Sequence, residues 1–315
     1  MNPVAAFFKL VRWPNLFFIA LTQLLYRYFV FSYVYGVPFG DFSHARTDTR
    51  NFYALVMASV CIAAAGYIIN DYFDVNIDLI NKPGKLVIDR YLKRRWAIIW
   101  HIVLSGAGVV LSCYAGYRLH NIVIPLCNLG VVAALWFYST TFKKRLLIGN
   151  ILISLLTAWV IFVLMFAEHS FTIGAPGNEW RRLLKVSFIY GGFAFIISLV
   201  REVIKDMEDL GGDLKYGCRT MPIVWGIPVS KVFTAVWIVV LAAGIVLIEV
   251  YIIQAGWLPA AAYGLVAILL PLVWVLRKLY QAQVPADYHR LSNRVKLIML
   301  AGILSMVFFH FHPAS

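Results

Sequence analysis

Nine apolar runs, near residues 15–37, 52–72, 96–117, 119–138, 146–167, 184–205, 231–253, 257–276 and 295–311, dominate this chain. A bilayer hydrocarbon core about 30 Å thick is crossed by roughly 20 helical residues. The runs therefore predict nine transmembrane helices and an all-α polytopic membrane protein. Of the 315 residues, 62% are hydrophobic and only 14% charged, against about a quarter charged in soluble domains. The spans leave no room for a soluble unit, so residues 1–315 read as one integral membrane domain.

A net charge of +13 is compatible with a polyanionic partner, but the basic residues sit in short clusters between apolar runs, so no nucleic-acid partner is expected. Assigned to alternate sides, 21 Lys and Arg fall at the N-terminus and loops 2–3, 4–5, 6–7 and 8–9. Six fall on the other side, and Arg27 lies within a span. The positive-inside rule makes the N-terminus and the richer loops cytoplasmic. Lys9 and Arg12 precede the first run without a small-residue cleavage site, so an uncleaved first helix is expected.

At the cytoplasmic end of span 2 the chain reads Asn70-Asp71-Tyr72-Phe73-Asp74-Val75-Asn76-Ile77-Asp78. Asp71, Asp74 and Asp78 stand at i, i+3 and i+7, which is one helical face. Four spans later, at the end of span 6, Asp206, Asp209 and Asp213 repeat the spacing. Three carboxylates on one face at a membrane boundary repel each other and lose hydration, so a cation is expected among them. An all-oxygen set suits Mg²⁺, which takes one or two carboxylates and completes its octahedron with water and substrate phosphate. Two clusters suggest ions bridging one diphosphate.

Basic residues follow each cluster. Lys85 in loop 2–3, Lys143 in loop 4–5, and Lys205 beside the second cluster are placed to neutralise a diphosphate, and Arg201 lies one turn before Asp206. Tyr138 stands at a span end with Trp96, Trp136, Trp257 and Trp274, where aromatic residues commonly anchor the interface. Two rivals meet the same residues. A cation transporter also carries intramembrane acids, but its inverted repeats converge on the midplane, whereas spans 2 and 6 run the same way and end on one side. A CDP-alcohol phosphotransferase also uses aspartates and a divalent metal, but its Asp-Gly-x-x-Ala-Arg element is missing.

The strings N-D-x-x-D-x-x-x-D at 70–78 and D-x-x-D-x-x-x-D at 206–213 resemble the UbiA superfamily of intramembrane prenyltransferases. The likeness extends to Arg12-Trp13-Pro14-Asn15 and to the Tyr-containing element from Tyr138 to Lys143. It implies a nine-helix bundle with a cytoplasmic-side active site. Asp71, Asp74, Asp78, Asp206, Asp209 and Asp213 would act as metal-binding and catalytic residues, with Asn70, Lys85, Tyr138, Lys143, Arg201 and Lys205 binding substrate. The implied reaction is Mg²⁺-dependent transfer of a polyprenyl group from an isoprenyl diphosphate to a lipophilic acceptor in the membrane. The wording around 80–83 and 201–213 is most similar to the digeranylgeranylglyceryl-phosphate, homogentisate and chlorophyll synthase branches, so the acceptor expected is geranylgeranylglyceryl phosphate or an aromatic quinone or pigment precursor. A prokaryotic plasma membrane is the expected location. At 85–87 the chain has Lys-Leu-Val where many members have Arg-Pro-Ile, and a lysine meets phosphate as a point charge rather than bidentately.

Overall fold

A computed structural model of the chain describes residues 2–81, 84, 86–169 and 177–311. Among these, nine helices are long and apolar enough to cross a membrane. A short helix α1 (Pro3–Leu10) precedes the first span, α2 (Trp13–Tyr35). The chain continues as α3 (Thr49–Asn81), α4 (Arg94–Arg118), α5 (Val123–Thr140), α6 (Ile148–Glu168) and α7 (Asn178–Glu208). Two short helices, α8 (Leu210–Lys215) and α9 (Met221–Val224), lead to α10 (Gly226–Gln254), α11 (Leu258–Gln281) and α12 (Pro285–Phe311).

Every expected span is present, and several run past their apolar limits. The 33 residues of α3 rise about 50 Å at 1.5 Å each, so its last turns, which carry Asp71, Asp74 and Asp78, reach beyond the hydrocarbon core. These turns stay helical because their polar side chains find partners inside the bundle, a gain that hydropathy does not register.

Burial orders the bundle. The apolar window of α3 is 61% buried and that of α10 only 17%. Val232, Val236, Val239 and Val240 of α10 lie exposed; such a continuous apolar stripe on a membrane-spanning helix suits an apolar surrounding rather than water. α3 packs on α4 and α5, α6 on α7, and α7 on α10 and α12, while α2 contacts α3, α6 and α12. Helices α2, α3, α5, α6, α7 and α12 thus surround a central space, with α4, α10 and α11 outside it.

The second triad departs from the sequence pattern. Asp71, Asp74 and Asp78 share one continuous helix, but α7 ends at Glu208 and Asp213 lies on the separate helix α8. Gly211 and Gly212 lower helix propensity here, and the amide of Gly212 donates to Asn81 Oδ1 at 2.7 Å instead of continuing the α7 ladder.

At the opposite end of the bundle Arg27, the intramembrane cation, is fully buried and pairs with Glu168 at 3.5 Å. The same carboxylate accepts the amides of Arg46 and Thr47 and the hydroxyl of Tyr35. The segment 36–48 is thereby tied across the end of α6.

Candidate active site

The two carboxylate clusters meet because Asn81, the last residue of α3, joins them. Its Nδ2 donates to the carbonyl of Asp209 at 3.0 Å, while its Oδ1 accepts from Gly212. A Cβ at position 212 would lie 2.5 Å from both amide atoms of Asn81, so glycine is what allows this approach. Asn81→Ala removes both bonds. It is expected to cost about 1–3 kcal/mol and to lower both the thermal midpoint in detergent and diphosphate release, whereas an unchanged midpoint would show that the pin contributes nothing.

In the first cluster Asp71 accepts from Arg12 at 2.5 Å. Arg12 stands between α1 and α2 with φ 52°, in the left-handed region that non-glycine residues seldom occupy; that kink lies between the two helices and beside the bond to α3. Asp74 Oδ2 accepts from Asn70 at 2.8 Å and pairs with Lys143, while Asp74 Oδ1 is buried without a hydrogen-bond partner. Lys143 is carried on a single turn, Phe142–Lys144, laid against the start of α6. There a Cβ on Gly149 would meet Lys143 Cα at 2.8 Å, so this close approach also depends on glycine. Burial opposes the Lys143 ammonium, yet Asp74, Asp78 and Asp213 outweigh it and raise its pKa above the ordinary lysine value, so it remains a cation.

In the second cluster Asp206 Oδ2 accepts from Asn150 at 2.8 Å, and Asp213 is buried with its backbone carbonyl bonded to the amide of Cys218. Arg219 N donates to Lys144 O at 2.8 Å, tying loop 6–7 to loop 4–5. Arg201 and Lys205, the cations expected to meet substrate, both reach Glu202, at 3.2 and 3.0 Å. Tyr138 leaves the aromatic belt, which Trp96, Trp136 and Trp274 keep with exposed rings. It instead lines the central cavity together with Asn70 of one cluster-bearing helix and Glu202 of the other. Lys85 falls outside the described residues.

Beneath the clusters lies a cavity of about 320 Å³. Its deeper wall is apolar, with Ile62, Leu135, Leu156 and Ile197, and its upper rim carries Arg12, Asn70, Tyr138, Arg201, Glu202 and Lys205. The arrangement is a fat-lined chamber under a predominantly cationic rim in which Glu202 is the one acid among the lining residues.

Among the described residues no three His, Cys, Asp or Glu converge closely enough to hold a metal ion as they stand. Arg12 and Lys143 instead neutralise Asp71 and Asp74. The donors nonetheless fit Mg²⁺: they are oxygens only, they come from facing helices, and the orphaned Asp74 Oδ1 lacks a partner that a cation or its water would provide. Asn150 lies outside the residues singled out from the sequence, and Asn81 and Arg12 entered only within motif strings. Asn150 is one of the polar residues inside an apolar run, a signal that could have singled it out; the partners of Asn81 had none, because they lie more than a hundred residues away.

Residues 13–300 match the UbiA prenyltransferase family. The chain belongs to that family. It is a prenyltransferase with the membrane-spanning helical architecture expected of one, and the cation-transporter reading has no support. Among its relatives are the digeranylgeranylglyceryl phosphate synthases of Methanothermobacter thermautotrophicus, 30% identical with 78% of this chain and 82% of the relative covered, and of Sulfurisphaera tokodaii, 34% identical with 75% and 77% covered. The fold is similar to a digeranylgeranylglyceryl phosphate synthase structure at TM-score 0.65 and 22% identity, covering 99% of this chain and 100% of that one. It is also similar to an Archaeoglobus fulgidus UbiA homologue bound to DMAPP and Mg²⁺, at TM-score 0.55 and 13% identity, with 96% and 99% covered.

Proposed function

We propose that this family member transfers a geranylgeranyl group from its diphosphate to the free glycerol hydroxyl of geranylgeranylglyceryl phosphate. The observation that carries this reading is the pinning of two aspartate clusters, by Asn81, over one apolar chamber. That geometry suits a diphosphate above and a prenyl chain below. The names of the relatives supply the acceptor.

Asp71, Asp74 and Asp78 on one side and Asp206, Asp209 and Asp213 on the other would hold Mg²⁺. When bound, the ion supplies the positive charge that lets diphosphate depart. Lys143, Arg12 and Lys205 add fixed charge toward the departing group, and Lys85 belongs to the same set by its position in loop 2–3. Asn70 and Asn150 orient Asp74 and Asp206 through their side-chain amides. Tyr138, at the rim between both clusters, and Arg201 bound the space in which the acceptor oxygen meets the allylic carbon. The C–O bond to diphosphate breaks, the glycerol oxygen forms the new ether bond, and the hydroxyl proton is released. The apolar wall excludes water from the allylic cation.

The charge bias of the loops supports a cytoplasmic N-terminus and a cytoplasmic face for the clusters. The archaeal relatives support a prokaryotic plasma membrane, and the single chamber shared by six spans supports one domain over 1–315. The test is diphosphate release from geranylgeranyl diphosphate by purified protein, with geranylgeranylglyceryl phosphate and homogentisate offered in separate reactions. Release with the glyceryl acceptor, restored by Mg²⁺ after chelation, is expected. Release with homogentisate alone would move the chain to the aromatic branch, and metal-independent release would overturn the role of the clusters.

A further inference from the structure

In a low-dielectric interior each charge needs a counter-charge, and the rim of the chamber can be matched cation by cation. Arg12 takes Asp71, and Arg201 and Lys205 share Glu202. Lys296, on α12, lines the same cavity and has no carboxylate partner among the described residues. Its Nζ donates to the neutral Asn15 Oδ1 at 2.8 Å and lies 5.2 Å from the centre of the Phe18 ring. The charges acting on it are Arg201 and Arg12, both cations. Arg201 also has a buried Nε with no hydrogen-bond partner. Two neighbouring cations thus repel, and one keeps an unmet donor, at the wall of a chamber open to a ligand.

An anion seated between them would relieve both costs. The donor's diphosphate does not meet this need. None of the six cluster aspartates lines the cavity, whereas Lys296 and Arg201 do, and Lys296 lies about 10 Å along α12, at 1.5 Å per residue, from His289, which bonds Glu208 at the cluster end of α7. We infer that Lys296, with Arg201, forms a separate anion subsite that binds the phosphate head of the lipid acceptor and selects phosphorylated acceptors over neutral ones. This rests on the reading that the acceptor is a prenylglyceryl phosphate.

Lys296→Gln keeps a donor for Asn15 and removes the charge. Its KM for geranylgeranylglyceryl phosphate is expected to rise roughly tenfold to a hundredfold, the range for losing a charged hydrogen bond, while the donor's KM stays within about twofold. Lys296→Arg should retain the wild-type KM. The dephosphorylated alcohol should be used equally by wild type and Lys296→Gln. Should Lys296→Gln misfold, Asn15→Asp, which ties the ammonium into an ion pair, is expected to produce the same loss. Unchanged acceptor KM in a folded Lys296→Gln protein, or a rise in the donor's KM alone, overturns the subsite. If wild type turns over no glyceryl acceptor, the functional reading falls instead, and equilibrium binding of the phosphorylated lipid to wild type and Lys296→Gln decides the subsite by itself: a tenfold loss supports it and equal binding refutes it.

Discussion

Asp206→Ala, and independently Asp71→Ala, will lower prenyl transfer by at least about 10²–10³-fold, the range seen when one preorganised electrostatic group is removed. Each aspartate is held by a single named partner, Asn150 for Asp206 and Arg12 for Asp71. Alanine therefore empties one carboxylate from each side of the diphosphate site and leaves the helix that carries it intact. The loss should appear in kcat at saturating acceptor, and added Mg²⁺ should restore little of it. Thermal unfolding in detergent separates lost chemistry from lost fold. Folded variants that keep more than about a tenth of wild-type turnover would remove the clusters from the mechanism.

The second large effect lies at the far end of the bundle. Arg27 and Glu168 are 1% and 0% exposed, and removing one partner of a buried pair strands the other's charge, at about 3–5 kcal/mol. Glu168→Ala should reach the upper part of that range, since Tyr35 and the amides of Arg46 and Thr47 lose their acceptor as well. The thermal midpoint in detergent should fall steeply, while the KM values of the remaining folded protein stay near wild type, because no residue of this network lines the chamber. A midpoint within error of wild type would mean that water or lipid takes over the role of the carboxylate.

Much of the site could be read along the chain because its signals are local. The i, i+3, i+7 spacing in 70–78 states a helix face outright, and α3 realises it. The same spacing in 206–213 does not, since a spacing rule assumes an unbroken helix and the glycines at 211 and 212 let the backbone turn toward Asn81. Tyr138 reads equally as a belt aromatic and as a site residue until the rotation of α5 turns it to the cavity that Asn70 and Glu202 also line. Arg201 and Lys205 read as phosphate ligands; the fold shows that Glu202 already engages both.

Hydropathy and helical period act over a turn or a span, so they are enough to show that this chain crosses a membrane, where its spans lie and which two of them carry carboxylates at one end. Which residues from distant spans meet emerges from the folded bundle: Arg12 with Asp71, Asn150 with Asp206, Asn81 with Gly212, and Lys296 with an asparagine instead of an acid. Those partners depend on how each helix is rotated and which helix it packs against. Rotation is set by the summed packing of all the spans, to which no local pattern has access.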